Sequence, residues 1–86
     1  MIKQYGLVQT LINKSNAPAG TYGVVVEIFS PPSEINGEYY VELWDQYNYP
    51  FDDGIYRENE LRVLTPQEEK ELLAKTDIKK ILEMHG

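Results

Sequence analysis

The fold of this chain is constrained most by a glycine-hinged apolar segment at residues 19–29, which is followed after a polar loop by a second apolar segment at residues 37–45. Gly20 and Gly23 can adopt the positive φ angles of a tight turn or a bulge. The residues that follow them are β-branched and aromatic, which suits a pleated, half-buried surface. These segments predict a strand over 22–29, a loop, and a partner strand over 38–45.

Three more strands and a C-terminal helical region are predicted from the remaining residues. A strand at 5–12 ends in a cluster of Asn, Pro and Gly at 13–20. The turn-rich stretch 46–54, with a tight turn expected at Asp53-Gly54, leads into a short strand at 55–57. One helical turn at 58–60 precedes a last strand at 61–64. Thr65, Pro66 and Glu68 then form a helix-start signature, after which one helix or two short helices fit equally well.

The two-residue period of a strand predicts which side chains face the core. Two sets alternate along the central strands. The expected inward set is Val24, Val26, Ile28, Tyr39, Val41 and Leu43. The outward set includes Tyr40 and Trp44, beside the loop that carries Tyr47, Tyr49 and Phe51.

Length and charge narrow the class of protein. The 86 residues suffice for one domain, and 14 acidic against 8 basic side chains give a net charge of −6. This charge repels nucleic acid and anionic lipid and favours a basic partner. The sequence contains no cysteine, which excludes disulfides and thiolate metal sites. A start without a signal-peptide pattern, and the lack of an apolar run near the ~20 residues of a membrane span, predict a cytoplasmic protein without membrane association.

Together these elements predict a mainly β fold: a small five-stranded antiparallel barrel over residues 1–64, with a C-terminal α-helical extension over 65–86 that packs on the barrel or on a partner. On the segments 20–28, 40–43 and 60–64 the chain resembles the SH3-like barrels. It is similar there to a family of small uncharacterised bacterial proteins and, more distantly, to the E-subunit-type barrels of photosystem I. The resemblance covers residues 5–64 and implies architecture rather than activity, because such folds host unrelated functions.

An aromatic and acidic surface is the main candidate for function. Seven tyrosines, two phenylalanines and one tryptophan are a heavy aromatic content for 86 residues, and most lie between Tyr39 and Tyr56. Residues 34–60 carry eight acidic side chains against the single base Arg57. Aromatic anchors with an acidic rim suit a basic protein or peptide. The predicted partner-binding residues are Tyr40, Trp44, Tyr47, Tyr49, Phe51, Asp52, Asp53 and Tyr56.

Several alternatives accompany this interpretation. The C-terminal helix would cover the same aromatic side chains if its leucines packed on them, which would make them a second small core. A symmetric homodimer through Leu72, Ile78 and Leu82 also fits the pattern. As a protein-binding module the chain would serve as an immunity, inhibitor or accessory protein, and the competing function is a nucleic-acid or ribosome-associated barrel.

Enzymatic and metal-dependent functions have little support in the sequence. Asp52-Asp53-Gly54 lacks the alternating oxygen ligands and the terminal glutamate of a calcium loop. His85 is the only histidine, so histidine-based triads and metal sites lack their ingredients. Glu27 and Glu42 are interpreted as opposed surface carboxylates rather than as an acid and nucleophile pair. We therefore predict a non-catalytic protein without metal or cofactor.

Overall fold

The computed structural model describes residues 2–14, 17–29, 37–45, 47 and 49–75. Five strands, a 3₁₀ turn and one helix follow one another along the chain: β1 (Leu7–Thr10), β2 (Tyr22–Ile28), β3 (Glu38–Trp44), β4 (Pro50–Arg57), the turn Glu58–Glu60, β5 (Leu61–Val63) and α1 (Pro66–Lys75). The strands form one sheet in the order β4-β3-β2-β1-β5, with every neighbouring pair antiparallel. The predicted mainly β class is confirmed, and so are the turn before β5 and a helix that follows it.

The sheet is open, whereas the sequence predicted closure into a barrel. β4 and β5 are its two edges, and no ladder joins them within the described part of the chain. A side chain of the β1–β2 loop reaches the β4 edge instead. The Lys14 Nζ atom donates a hydrogen bond to the Ile55 carbonyl at 2.6 Å and lies 4.5 Å from the ring centroid of Tyr56.

One face of the sheet carries the larger apolar core. Tyr39, Val41 and Leu43 are buried there, as predicted from the period of β3. On β2 the prediction was wrong for Val24 and Val26, because the inward residue is Val25. The β2–β3 register shifts between Val25 and Glu27, so the pairing jumps one residue at this bulge. Beyond the bulge, Ile28 pairs with Tyr39 and packs against the core, as expected.

The two glycines before β2 have different roles. Gly20 has a φ of +93°, the left-handed conformation that the sequence predicted. Gly23 does not have a positive φ. It lies where β3 approaches closely: a Cβ atom there would overlap the carbonyl oxygen of Glu42 and would lie 2.9 Å from Val41 Cγ1. Gly23 is therefore required by the close approach of two strands and not by turn geometry.

The connection between β3 and β4 corrects a second prediction. The Asp53-Gly54 pair was expected in a tight turn, but both residues lie inside β4 and pair with Glu42 and Val41. The chain turns earlier, where Asp45 bonds to Tyr47 and Tyr49. There the Asp45 carboxylate accepts hydrogen bonds from the backbone N–H groups of Tyr47 and Tyr49 at 2.8 and 3.0 Å. This aspartate turn lets β4 begin at Pro50, five residues before the predicted strand.

The helix α1 covers the opposite face of the sheet. A second buried cluster joins Leu72 of α1 to Leu7, Trp44 and Leu64, with Tyr22, Val24 and Leu73 packed around it. Leu72, expected in a homodimer contact, is thus buried within its own chain, while Ile78 and Leu82 lie outside the described residues. The question of one C-terminal helix or two also falls on residues after Lys75. No described helix is long and apolar enough to span a membrane.

The start of α1 is held by the capping signature predicted from the sequence. The Glu68 N–H donates to Thr65 Oγ1 at 3.2 Å, and the Thr65 N–H donates to Glu68 Oε1 at 3.0 Å. Arg62 of β5 donates to both carboxylate oxygens of Glu68 at 2.8 Å and also to Gln9 Oε1 of β1. One arginine therefore ties the first turn of the helix to two strands.

Acid titration is expected to weaken this tie. Hydrogen bonds from Arg62 and then from Thr65 lower the pKa of Glu68 from 4.5 to about 2. Because the folded-state pKa is depressed, the stabilisation is present above pH 4.5 and is lost as the pH falls through about 2. Thermal unfolding followed by circular dichroism should give the wild type a higher Tm than Glu68→Gln at pH 7, with the difference shrinking as the pH falls from 4.5 through about 2. A difference that does not change with pH would contradict this account.

Candidate functional site

An open groove of about 510 Å³ lies between the end of the β1–β2 loop and the loop that joins β3 to β4. Tyr22 and Trp44 line its centre. One wall is the turn at residues 18–21, and the other includes Tyr47 and Phe51. Three aromatic rings and one indole therefore line a single depression, which is the arrangement of an apolar binding site.

The wall at residues 18–21 is held in place by polar contacts from β1. Thr10 is 1% exposed, and its Oγ1 accepts from the Thr21 N–H at 3.1 Å and donates to the Pro18 carbonyl at 3.2 Å. The amide of Gln9 donates to the Gly20 carbonyl at 3.1 Å. Because the sheet holds this turn from below, a ligand would meet a wall whose shape is set in advance.

The opposite wall carries the exposed aromatic side chains. Tyr47 is 69% exposed and Phe51 is 41% exposed, while the Asp45 carboxylate is committed to the backbone of the loop between β3 and β4. Tyr49, also predicted for the site, is 46% exposed, and its carbonyl accepts a hydrogen bond from the Asp45 N–H at 2.8 Å. Large rings on a loop that a single aspartate organises can serve as contact anchors at small entropic cost.

Trp44 differs from the expectation of an outward, exposed ring. It is 2% exposed because Leu72 of α1 and Leu7 pack on it. The alternative of a second small core covered by the helix therefore holds for Trp44 but not for Tyr47, Tyr49 or Phe51. The indole Nε1 is buried and has no hydrogen-bond partner among the described residues. Trp44 supports the groove from beneath rather than projecting from it.

The other predicted site residues lie away from the groove. Tyr56 is 1% exposed in the larger core, and burial raises its pKa above 10.0. Asp52 borders a separate cleft beside Lys14. Tyr40 and Asp53 lie on the face of the sheet opposite the larger core, the same face as Trp44. There Phe29 stacks on Tyr40 with ring centroids 6.0 Å apart. The eight predicted residues therefore form three groups instead of one continuous face.

The pair of Tyr40 and Asp53 makes a specific titration prediction. The hydrogen bond from the Tyr40 hydroxyl to the Asp53 carboxylate, followed by partial desolvation, raises the pKa of Tyr40 above 10.0. In the variant Asp53→Asn we expect this pKa to fall toward 10.0, since a neutral amide stabilises the phenol less. The ring Cζ resonance of Tyr40, followed by NMR from pH 8 to 12, measures the shift. An unchanged midpoint would show that the pair is not formed in solution.

Sequence reasoning missed the turn at residues 18–21 and Tyr22 as parts of the site. The stretch 13–20 was interpreted as a breaker cluster, and Gly20 as a turn glycine, without a role in binding. The available signal was the position of Pro18 and Gly20, four and two residues before Tyr22, which places a turn close to an aromatic ring. Phe29 was not among the predicted partner-binding residues.

The groove offers few groups for catalysis or metal binding. Asp45 is the only acidic residue among its described lining residues, and no group of three or more His, Cys, Asp or Glu side chains that could hold a metal occurs within the described ranges. Comparisons of the chain with protein-family models, curated proteins and solved structures found no match. Function is therefore inferred from the chemistry of the groove and its surroundings.

Proposed function

We propose that this protein is a non-catalytic interaction module that binds a cationic segment of another protein in the groove lined by residues 18–22 and by Trp44, Asp45, Tyr47 and Phe51. The observation that carries the proposal is the pair of exposed rings, Tyr47 and Phe51, over a groove whose opposite wall Thr10 and Gln9 hold in place. Aromatic anchors in a preformed depression supply contact area without a large loss of conformational entropy.

The acidic charge of the chain favours a basic partner. Residues 37–60 contain seven acidic side chains and the single base Arg57, and the whole chain has a net charge of −6. Such a field accelerates association with a cationic surface and disfavours phosphate backbones. An immunity protein, an inhibitor and an accessory protein would all use this chemistry. A nucleic-acid-binding role has no basic patch in the sequence to support it.

We further propose that the five strands form an SH3-like arrangement, with Lys14 rather than a fifth ladder bridging the open side of the sheet. The strand order β4-β3-β2-β1-β5 and the 3₁₀ turn before β5 support this arrangement. Cytoplasmic location is proposed with it, in keeping with a sequence that contains no cysteine.

Affinity capture with a matched pair of variants tests the proposed function. Wild-type protein on a resin is expected to retain a basic protein from an extract of the source organism. The affinity of the purified protein for this partner should fall roughly thirtyfold in the double variant Tyr47→Ala/Phe51→Ala, because the variant lacks two central anchors of the interface. Val63→Ala, which trims an equally exposed apolar side chain on β5, serves as the control.

Two outcomes would contradict the proposed function. Equal affinity of the wild type and the double variant would show that the groove is not the binding surface. Salt-sensitive binding to RNA or DNA that exceeds binding to any protein would favour the nucleic-acid alternative. Binding that weakens with salt but stays specific for a basic protein is the expected result.

A further inference from the structure

The outer edge of β4 is a second surface that the groove does not explain. In an antiparallel pair, the N–H and C=O groups of alternate residues point toward the partner strand and away from it. The Phe29 N–H bonds to the Glu38 carbonyl, so the even-numbered residues of β3 face β2 and its odd-numbered residues face β4. Val41 pairs with Gly54 in that ladder. The backbone groups of Asp53, Ile55 and Arg57 therefore point outward from the sheet.

Two side-chain contacts agree with this assignment and mark one end of the open edge. Lys14 Nζ bonds to the Ile55 carbonyl at 2.6 Å, and the Arg57 N–H donates to Glu60 Oε1 at 2.7 Å. Beyond the Lys14 contact lie the Ile55 N–H and both backbone groups of Asp53. Within the described residues, no strand pairs with them. A sheet edge of this kind can accept an additional strand.

A cleft of about 310 Å³ runs beside the same edge, between Lys14 and Ala17 of the β1–β2 loop and residues 52–56 of β4. A Cβ atom built on Gly54 would meet only Tyr56 Cε1, at an ordinary contact distance of 3.6 Å. An added strand would direct one side chain over Gly54, into this space. Asp52, on the same face of β4 as Gly54, also lines the cleft, so the cleft suits a cationic side chain, whereas the Asp53 carboxylate lies on the other face beside Tyr40.

From this geometry we propose that the β4 edge binds an extended basic peptide segment by strand addition, with backbone hydrogen bonds to Asp53 and Ile55 and a lysine or arginine in the cleft over Gly54. The charge of the edge selects the occupant. The Asp52 carboxylate lines the cleft, and Lys14 is balanced by Glu60, whose carboxylate lies 3.7 Å away. This site goes beyond the proposed groove and does not depend on it.

Lys14 regulates access in this arrangement. Its ammonium group donates a hydrogen bond to the Ile55 carbonyl oxygen, which would have to accept from a backbone N–H of an added strand. The lysine must therefore withdraw before a strand can pair. The same contact blocks indiscriminate pairing of the edge, as charged side chains do on other exposed strands. Removing Lys14 eliminates a competing hydrogen bond and a like charge. We therefore expect Lys14→Ala to bind a basic strand about threefold to tenfold more tightly.

A capped octapeptide of alternating lysine and valine is the probe. In ¹⁵N-labelled protein we expect its addition to slow hydrogen exchange at the amides of Asp53 and Ile55 at least about tenfold, as strand pairing protects edge amides. A glutamate–valine octapeptide of equal length should not bind. The lysine–valine peptide with alternate N-methylated amides tests the backbone bonds without altering the protein, and it should lose the protection.

Variants of the protein complete the test. Ile55→Pro removes an outward N–H and leaves the β3–β4 ladder intact, so binding should be lost, whereas Ile55→Thr keeps the N–H and should bind. Protection at Gly20 and Tyr47 instead of Asp53 and Ile55 would assign the peptide to the groove and overturn the edge proposal. Equal binding of the N-methylated peptide would overturn it as well. Slow hydrogen exchange at the amides of Asp53 and Ile55 without peptide, together with a dimer in sedimentation, would show that a second copy of this chain occupies the edge. That result would overturn the assignment of a basic peptide.

Discussion

Gly23→Ala is expected to destabilise the protein by roughly 3 kcal/mol or more, a large part of the 5–15 kcal/mol by which small domains are stable. The added methyl group would overlap the Glu42 carbonyl oxygen and press on Val41, and both belong to the central strand β3. Strand backbone cannot move aside without breaking ladders with β2 and β4. Urea unfolding followed by far-ultraviolet circular dichroism measures the loss as a lower urea midpoint of the variant.

Two other glycines provide matched controls for this substitution. Gly54 also lies in a strand, but a methyl group there meets only Tyr56 Cε1 at 3.6 Å, so Gly54→Ala should be neutral or slightly stabilising. Gly20 has open space and a φ of +93°, so Gly20→Ala should cost about 1 kcal/mol through backbone strain alone. A Gly23→Ala variant as stable as Gly54→Ala would contradict the close approach of β2 and β3.

Trp44→Ala is the second large effect, with an expected loss of about 3–5 kcal/mol. The indole is 2% exposed and joins α1 to the sheet through Leu72, Leu64 and Leu7. Its removal leaves a cavity between the helix and the sheet. Because Trp44 is the only tryptophan, unfolding of the variant is followed by circular dichroism rather than by fluorescence.

Trp44→Phe separates packing from hydrogen bonding at the same position. The indole N–H has no partner among the described residues, so phenylalanine removes a buried polar group while keeping much of the ring. We expect Trp44→Phe to lose less than half of what Trp44→Ala loses. If Trp44→Ala abolished partner capture without lowering stability, the tryptophan would be a surface anchor, and its assignment to the second cluster would be wrong.

The sequence predicted those elements whose signals are local. β2 and β3 carry β-branched and aromatic residues between clear breakers, and α1 begins at a threonine cap followed by proline, so their positions agree with the structure within one or two residues. β4 was predicted too short because Asp53-Gly54 has the composition of a turn. Pairing with β3 overrides that preference, since Asp45 already supplies the turn through its own carboxylate.

The site was predictable only in part. A two-residue alternation assigns one face of β3 to the core and the other to solvent, so it cannot show that side chains on both faces are buried. Tyr47 and Phe51 were identified from their place in an aromatic loop, and both line the groove. Trp44 and Tyr56 were assigned to the surface from alternation and composition, yet α1 covers the first and the larger core encloses the second. The turn at residues 18–21 was not identified as part of the site, since only tertiary structure brings it opposite Phe51.

The division of the acidic and aromatic residues has a consequence for how the protein would bind. The groove lies at one end of β3, while the open edge of β4 and its cleft lie along the next strand. A basic partner with an extended segment would meet the groove first through the exposed Tyr47, and the edge would require Lys14 to withdraw. The two surfaces can therefore be separated by variants that leave the core untouched.

Site-specific photocrosslinking in living cells of the source organism tests the central claim most directly. A photoreactive phenylalanine analogue is placed at position 47, on the groove, and in a separate strain at position 63, on β5. The account predicts one abundant crosslinked protein from position 47, joined through a peptide rich in lysine or arginine, and little or none from position 63. Equal crosslinking from both positions, or crosslinks from position 47 to acidic or neutral segments, would contradict binding of a cationic partner in the groove.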